Sequence, residues 1–184
     1  MKIAIISGSN RTGRQSLRVA EHLLEVLDNH EKVTRTILLD VHTYNFPVMD
    51  ERLGHLETPH AGLIEFSNHI KESQGLIIVT PEYNGGMAGS LKNTLDYFRK
   101  EFSRLPMAAV TVSSGSFGGA NALHQLWWWM LYNGGIVSPT KLLVSNVVTS
   151  LSQEESKEKS RFDKNSHKFI DDLMWLAEKI KSND

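Results

Sequence analysis

Three short segments concentrate side chains suited to holding a polar ligand. The first, "SGSNRTGRQS" (7–16), carries the hydroxyls of Ser9 and Ser16 and the guanidinium groups of Arg11 and Arg14. The second, "PEYNGG" (81–86), sets an acid, an aromatic ring and an amide (Glu82, Tyr83, Asn84) between Pro81 and the pair Gly85–Gly86. The third, "SSGSFGG" (113–119), is almost all hydroxyl and glycine, with Ser113, Ser114, Gly115, Ser116 and Gly118.

The first segment has the chemistry of an anion site. Gly8 and Gly13 permit tight turns. The helical pattern that follows offers unpaired N–H groups and the positive end of its dipole. A plainer reading is a polar turn with Ser16 as helix N-cap. Gly8-x-x-x-x-Gly13 opens like a nucleoside-triphosphate loop, yet Arg14 stands where lysine is required and Gln15 where a magnesium-binding hydroxyl is required. The dinucleotide pattern G-x-G-x-x-G fails as well, because residue 10 is Asn and residue 11 is Arg. A phosphate monoester remains.

The second segment then holds the body of the same ligand. Pro81 removes a donor and ends its strand. Gly85 and Gly86 let backbone approach a flat ring, and Tyr83 packs beside it or serves as an interface aromatic. Glu82 reads either as a buried acid or as an ordinary surface carboxylate. Other chemistries find little support. There is no cysteine and no G-x-S-x-G serine elbow. The eight histidines are scattered, and His55 and His60 share a loop without metal-ligand spacing.

Apolar runs at 2–7, 33–39, 75–80, 106–114 and within 135–147 alternate with helical stripes at 16–29, 61–73, from about 86 to 98, at 120–130 and at 169–180. Pro139 marks the last run as an edge or a break. Five strands alternating with five helices predict an α/β fold: one doubly wound, five-stranded parallel sheet in the order 2-1-3-4-5, with helices on both faces. All three polar segments follow strands, so they meet at the carboxyl edge of that sheet, where such folds bind ligands. The 184 residues, 40% apolar and 22% charged, fit a single domain over 1–184. A net charge of −1 gives no field to draw nucleic acid or an anionic membrane. With no membrane-length apolar run and no secretory leader, the expectation is a cytoplasmic protein.

"GSNRTGRQS", "PEYNGGMAGSLKNTLDY" and "SSGSFGG" resemble the three flavin-binding loops of the NADPH-dependent FMN reductase family, a flavodoxin-like group, from the start of the chain to about residue 148. The resemblance implies that Ser9, Arg11, Gln15 and Ser16 grip the phosphate of FMN. It implies that Pro81, Glu82, Tyr83, Asn84 and Gly85 surround the isoalloxazine, with Ser113, Ser114, Gly115, Ser116 and Gly118 beside it. It further implies hydride transfer from NADPH or NADH through flavin N5 to a small acceptor such as a quinone, an azo compound, a metal oxyanion or free flavin. No side-chain catalyst is then needed. A homodimer or homotetramer is implied too, and three consecutive tryptophans, Trp127 to Trp129, fit a subunit boundary. The competing expectation is an electron carrier or flavin-dependent sensor that docks a protein partner; near-neutral charge and long glycine-containing loops favour the enzyme.

Overall fold

The computed structural model describes residues 1–181. Its chain runs β1 (Lys2–Ser7), α1 (Gln15–Asp28), β2 (Arg35–Asp40), a single turn α2 (Val41–Tyr44), α3 (Ala61–Lys71) and β3 (Gly75–Tyr83). It continues through β4 (Gly86–Met87), α4 (Gly89–Asp96), β5 (Pro106–Val112), α5 (Ala120–Tyr132), β6 (Ile136–Val137) and β7 (Leu142–Val144). The short α6 (Val147–Ser150) and the long α7 (Lys157–Lys181) close it.

The strands line up in the order β2-β1-β3-β5-β6, all parallel, with β7 pairing β5 beyond β6. β6 and β7 together fill the place of the fifth expected strand. Pro139 lies between them, where a missing donor and a fixed φ interrupt a ladder at little cost on an edge. β5 is buried along its whole length, as are the first seven residues of β3, which is why both read as continuous apolar runs.

The side-chain period of two sorts these strands onto two cores. Ala4, Ile6, Leu76, Ile78, Met107 and Ala109 meet Phe66 and Ile70 of α3, Leu91 and Leu95 of α4, and Leu123 and Leu126 of α5. Ile3, Ile5, Ile77, Val79, Ala108 and Val110 meet Val19, Leu23 and Leu27 of α1 and Phe169, Leu173 and Met174 of α7. Both helical layers are therefore fixed, and with them the strand tips at the sheet's carboxyl edge. No helix among the described residues is long and apolar enough to cross a membrane.

One boundary differs from expectation in a way that matters. Pro81 does not end β3; it pairs in register with Val112. The carbonyl of Val79 accepts from Gly8 N–H on the β1 side at 2.9 Å. Pro81, two residues on, turns its donorless nitrogen the same way, past the last β1 pairing at Ser7. The strand continues to Tyr83 and folds back on itself, so α4 starts at Gly89 rather than near Gly86. The last helix, expected from the stripe at 169–180, starts earlier, at Lys157.

Candidate functional site

α1 begins without a cap of its own. Arg14 holds the N-cap position and makes no side-chain capping bond, and the first turn contains no acid. Ser16 is therefore not the N-cap. Its hydroxyl lies inside the helix, 1% exposed, with no hydrogen-bond partner among the described residues. A buried hydroxyl without a partner costs roughly 1–3 kcal/mol. At the positive end of a helix such a group is placed where it could donate to an anion.

The neighbouring groups are set for the same task. Ser9, fully buried, shares a 2.9 Å hydrogen bond with the Tyr83 hydroxyl and accepts one from Arg11 N–H at 3.2 Å. The exposed Arg11 guanidinium stands 6.0 Å from the centre of the Tyr83 ring. Gln15 turns aside: its amide donates to Gly13 O at 3.2 Å and accepts from Arg18 at 2.9 Å. Arg14, which by composition offered a second cation, is spent on Asp40 at the end of β2, 2.6 Å away, with both side chains largely buried. Arg11 thus remains the loop's unpaired cation among the described residues. Gly8 is small for a reason other than a turn, since a Cβ there would lie 2.9 Å from Leu91 Cβ and 3.0 Å from Val79 O.

The "PEYNGG" segment is a β-hairpin. Tyr83 pairs with Gly86 and Glu82 with Met87, antiparallel. The two residues between, Asn84 and Gly85, have φ of 50° and 77°. Two successive positive φ values make the turn that a right-twisted hairpin requires, and Asn-Gly is the dipeptide that adopts it most easily. That signal was present in the sequence, beside the reading of the glycines as room for a flat ring. Thr80, a hydroxyl in an otherwise apolar strand, anchors the returning arm by accepting from Ala88 N–H at 3.1 Å. Ser90 ties α4 to the first loop by donating to Gly8 O at 2.9 Å.

Glu82 has a structural task. Its carboxylate accepts from Asn121 N–H at 2.9 Å and Ala122 N–H at 3.1 Å, and from the Asn121 amide at 3.2 Å. It caps α5 from a different strand, because Gly119 at the N-cap has no side chain to do so. The third loop leads into that same helix. Ser113 stays at the strand tip, its Oγ accepting from Gly115 N–H at 3.0 Å, while Ser114, Gly115 and Ser116 are exposed. Gly118 is buried, and Thr111, another hydroxyl inside a buried strand, donates to its carbonyl at 2.7 Å. The three segments therefore stand at one sheet edge. The first and second are joined through Ser9–Tyr83 and Ser90–Gly8, the second and third through Glu82.

The α1 terminus offers a partnerless hydroxyl, free backbone donors and one cation, a donor set that fits the phosphate of a mononucleotide. The Asn84–Gly85 turn, with nothing within 4 Å of a Cβ placed on Gly85, leaves room beside it for a flat ring.

Comparison with known proteins bears on the family and the fold. Residues 1–149 match the family described as NADPH-dependent FMN reductase. The chain is 35% identical over 151 residues to an NAD(P)H-dependent FMN reductase of Nectria sp, covering 78% of this chain and 74% of that protein. It is 30% identical over 129 residues to an NADPH azoreductase of Bacillus sp. (strain OY1-2), covering 68% and 66%. It is 31% identical over 129 residues to a quinone reductase of Pseudomonas putida, covering 67% and 66%. The chain thus spans about two thirds of the azoreductase and of the quinone reductase. Among solved structures, the flavoenzyme FerB, an NAD(P)H:(acceptor) oxidoreductase from Paracoccus denitrificans, superposes with a TM-score of 0.76 at 18% identity over 97% of both chains. Oxidised flavodoxin 1 from Bacillus cereus superposes with a TM-score of 0.59 at 14% identity over 93% of this chain and 98% of that one. These two show the fold to be flavodoxin-like. The chain belongs to the NADPH-dependent FMN reductase family.

Proposed function

We propose that the protein is an FMN-dependent NAD(P)H oxidoreductase that passes reducing equivalents to a small acceptor of the quinone or azo class. The observation that carries this reading is the buried, partnerless hydroxyl of Ser16 at an uncapped helix terminus, in a family whose members reduce or use FMN. When bound, the flavin supplies the hydride chemistry at its ring. The chain's own part is to bind and orient. Ser9, Ser16, the first amides of α1 and Arg11 hold the phosphate. The hairpin from Pro81 through Gly85 lies along the ring, and the exposed hydroxyls and amides of 113–118 border its polar edge. Gln15, turned toward Arg18, lends support from outside rather than a direct contact.

The direct test is the visible spectrum of the purified protein, joined to steady-state NADPH oxidation with a quinone. Flavin absorption with rapid turnover supports the enzyme; bound flavin without NADPH consumption indicates a carrier or sensor instead. Arg11→Ala is expected to weaken FMN binding in titration calorimetry by about one to two decades, the equivalent of one charge-assisted hydrogen bond of about 1.5–3 kcal/mol. An unchanged affinity removes Arg11 from the phosphate site.

Self-association belongs to the same reading. α5 turns Trp129 inward, against Phe102, but leaves Trp128 72% exposed beside exposed Leu131 and Tyr132. An aromatic and aliphatic cluster of this kind on a soluble domain is characteristic of an interface. A homodimer or homotetramer is expected in sedimentation velocity, and a strictly monomeric protein at micromolar concentration contradicts it.

A further inference from the structure

Beneath the first loop lies a tier of polar atoms that the phosphate contacts described so far leave unused. Ser7, the last residue of β1, is 0% exposed, and its hydroxyl has no hydrogen-bond partner among the described residues. The period of two sends Ile3 and Ile5 into the core under α1 and α7, and Ser7 continues that row. Its register partners are Val79 of β3, in the same core, and Asp40 of β2. Ser7 therefore faces the layer between the sheet and α1. Ser16 heads the buried stripe of α1 that enters the same layer through Val19, Ala20 and Leu23.

Arg14 reaches the same corner. It donates through a terminal nitrogen to Asp40 Oδ2 at 2.6 Å, and Asp40 pairs with Ser7 across strands about 4.8 Å apart. The guanidinium is thus held at the end of β2, beside the end of β1. Its Nε is buried and has no partner among the described residues. Asp40 is itself well supplied, since it also accepts from Thr43 Oγ1 at 3.0 Å and from His42 N–H at 3.4 Å.

Three donors, Ser7 Oγ, Arg14 Nε and Ser16 Oγ, therefore end unsatisfied where β1 turns into α1. Buried polar atoms nearly always find partners, so the corner lacks an acceptor. A guanidinium N–H only donates, and one acceptor for three donors needs several lone pairs. A phosphate oxygen has them, and its negative charge strengthens each bond.

We propose that one oxygen of a bound phosphate group sits beneath the loop, held by Ser7 Oγ, Arg14 Nε and Ser16 Oγ. Ser7 is then a further binding residue, and Asp40 positions Arg14 for it. The phosphate is that of FMN, which rests on the oxidoreductase reading above, or free inorganic phosphate in the flavin-free protein.

The test compares FMN with riboflavin, the same flavin without the phosphate, by calorimetry on flavin-free parent and Ser7→Ala protein. FMN affinity is expected to fall about tenfold or more in the variant, with riboflavin affinity within about twofold of the parent's. Ser7→Cys keeps the size but offers only a weak donor, and gives the same selective loss. Thermal melts with inorganic phosphate, against chloride at equal ionic strength, separate the two sources. Protection of the parent but not of Ser7→Ala supports free phosphate as a second occupant. No protection of either, together with the selective FMN loss, supports the flavin's phosphate as the sole one. Equal losses for FMN and riboflavin mean that Ser7 only shapes the fold. Unchanged FMN affinity means that ordered water satisfies its hydroxyl. Either result overturns the assignment, as does equal protection of both proteins by phosphate. In each of those cases an FMN-binding parent that oxidises NADPH leaves the oxidoreductase reading standing, whereas a parent that binds no FMN sinks that reading itself.

Discussion

Replacing Glu82 with alanine is expected to lower folding stability by about 3 kcal/mol, measured as the shift in urea midpoint at constant m-value. α5 starts at Ala120, so Asn121 and Ala122 are among the first N–H groups, which have no intrahelical acceptor. Both donate to the Glu82 carboxylate, and the Asn121 amide adds a third bond. A hydrogen bond to a charged acceptor is worth about 1.5–3 kcal/mol, and a negative charge at a helix N-terminus adds roughly 0.3–1 kcal/mol. The three bonds share one carboxylate and do not add fully. The consequence spreads because α5 delivers Leu123, Leu126, Trp129 and Met130 to the core. Glu82→Gln retains an acceptor oxygen but loses the charge and is expected to cost about half as much. A Glu82→Ala midpoint shift equivalent to less than about 1 kcal/mol means that water replaces the cap and that the carboxylate has some other purpose.

The reason Glu82 was not legible as a cap shows where sequence reading stops. Period-two and period-3.6 patterns report which face of an element is buried, and they located all the principal strands and helices of this chain. Alternation and handedness left few sheet orders, and the doubly wound 2-1-3-4-5 order chosen among them is the one observed. Even the break in the last strand was visible, since Pro139 lacks the donor that a ladder needs. A cap supplied from another strand leaves no such trace, because residues 82 and 121 come together only once β3 and β5 are neighbours. Arg14 makes the same point. By composition it was a second cation for an anion; in the fold Asp40 of β2 neutralises it. Gly8 looked like a turn residue but is small because Leu91 packs against it. The Asn84–Gly85 hairpin was readable, and its two-residue signal was hidden by Pro81, whose usual meaning in a strand held less weight than its position beyond the end of β1. Ser9 and Ser16 were legible as a pair at a helix start; that one would be satisfied by Tyr83 and the other left partnerless depended on packing.

That difference between the two serines gives the second large effect. The Arg11→Ala/Ser16→Ala variant is expected to bind FMN at least about a hundredfold more weakly than the parent, a loss of about 3 kcal/mol or more. It is expected to do so without losing stability in the flavin-free state. Ser16 Oγ is buried and partnerless, so its removal relieves a desolvation cost of about 1 kcal/mol or more. Arg11 is exposed and unpaired, and surface changes of that kind stay within about 0.5 kcal/mol. The two effects have opposite sign, and ligand linkage makes the contrast measurable. A ligand at a hundred times its Kd stabilises the folded state by about 2.7 kcal/mol. At a fixed FMN concentration that saturates the parent, the variant forfeits about that much. Thermal melts of the two proteins should therefore cross: the variant equal or higher without FMN, and clearly lower with it. A structural role for Ser16 predicts a loss in both conditions. A hydroxyl that never meets the ligand predicts no crossing. Only a hydroxyl kept buried at a cost to the free protein, because a phosphate will need it, predicts the inversion.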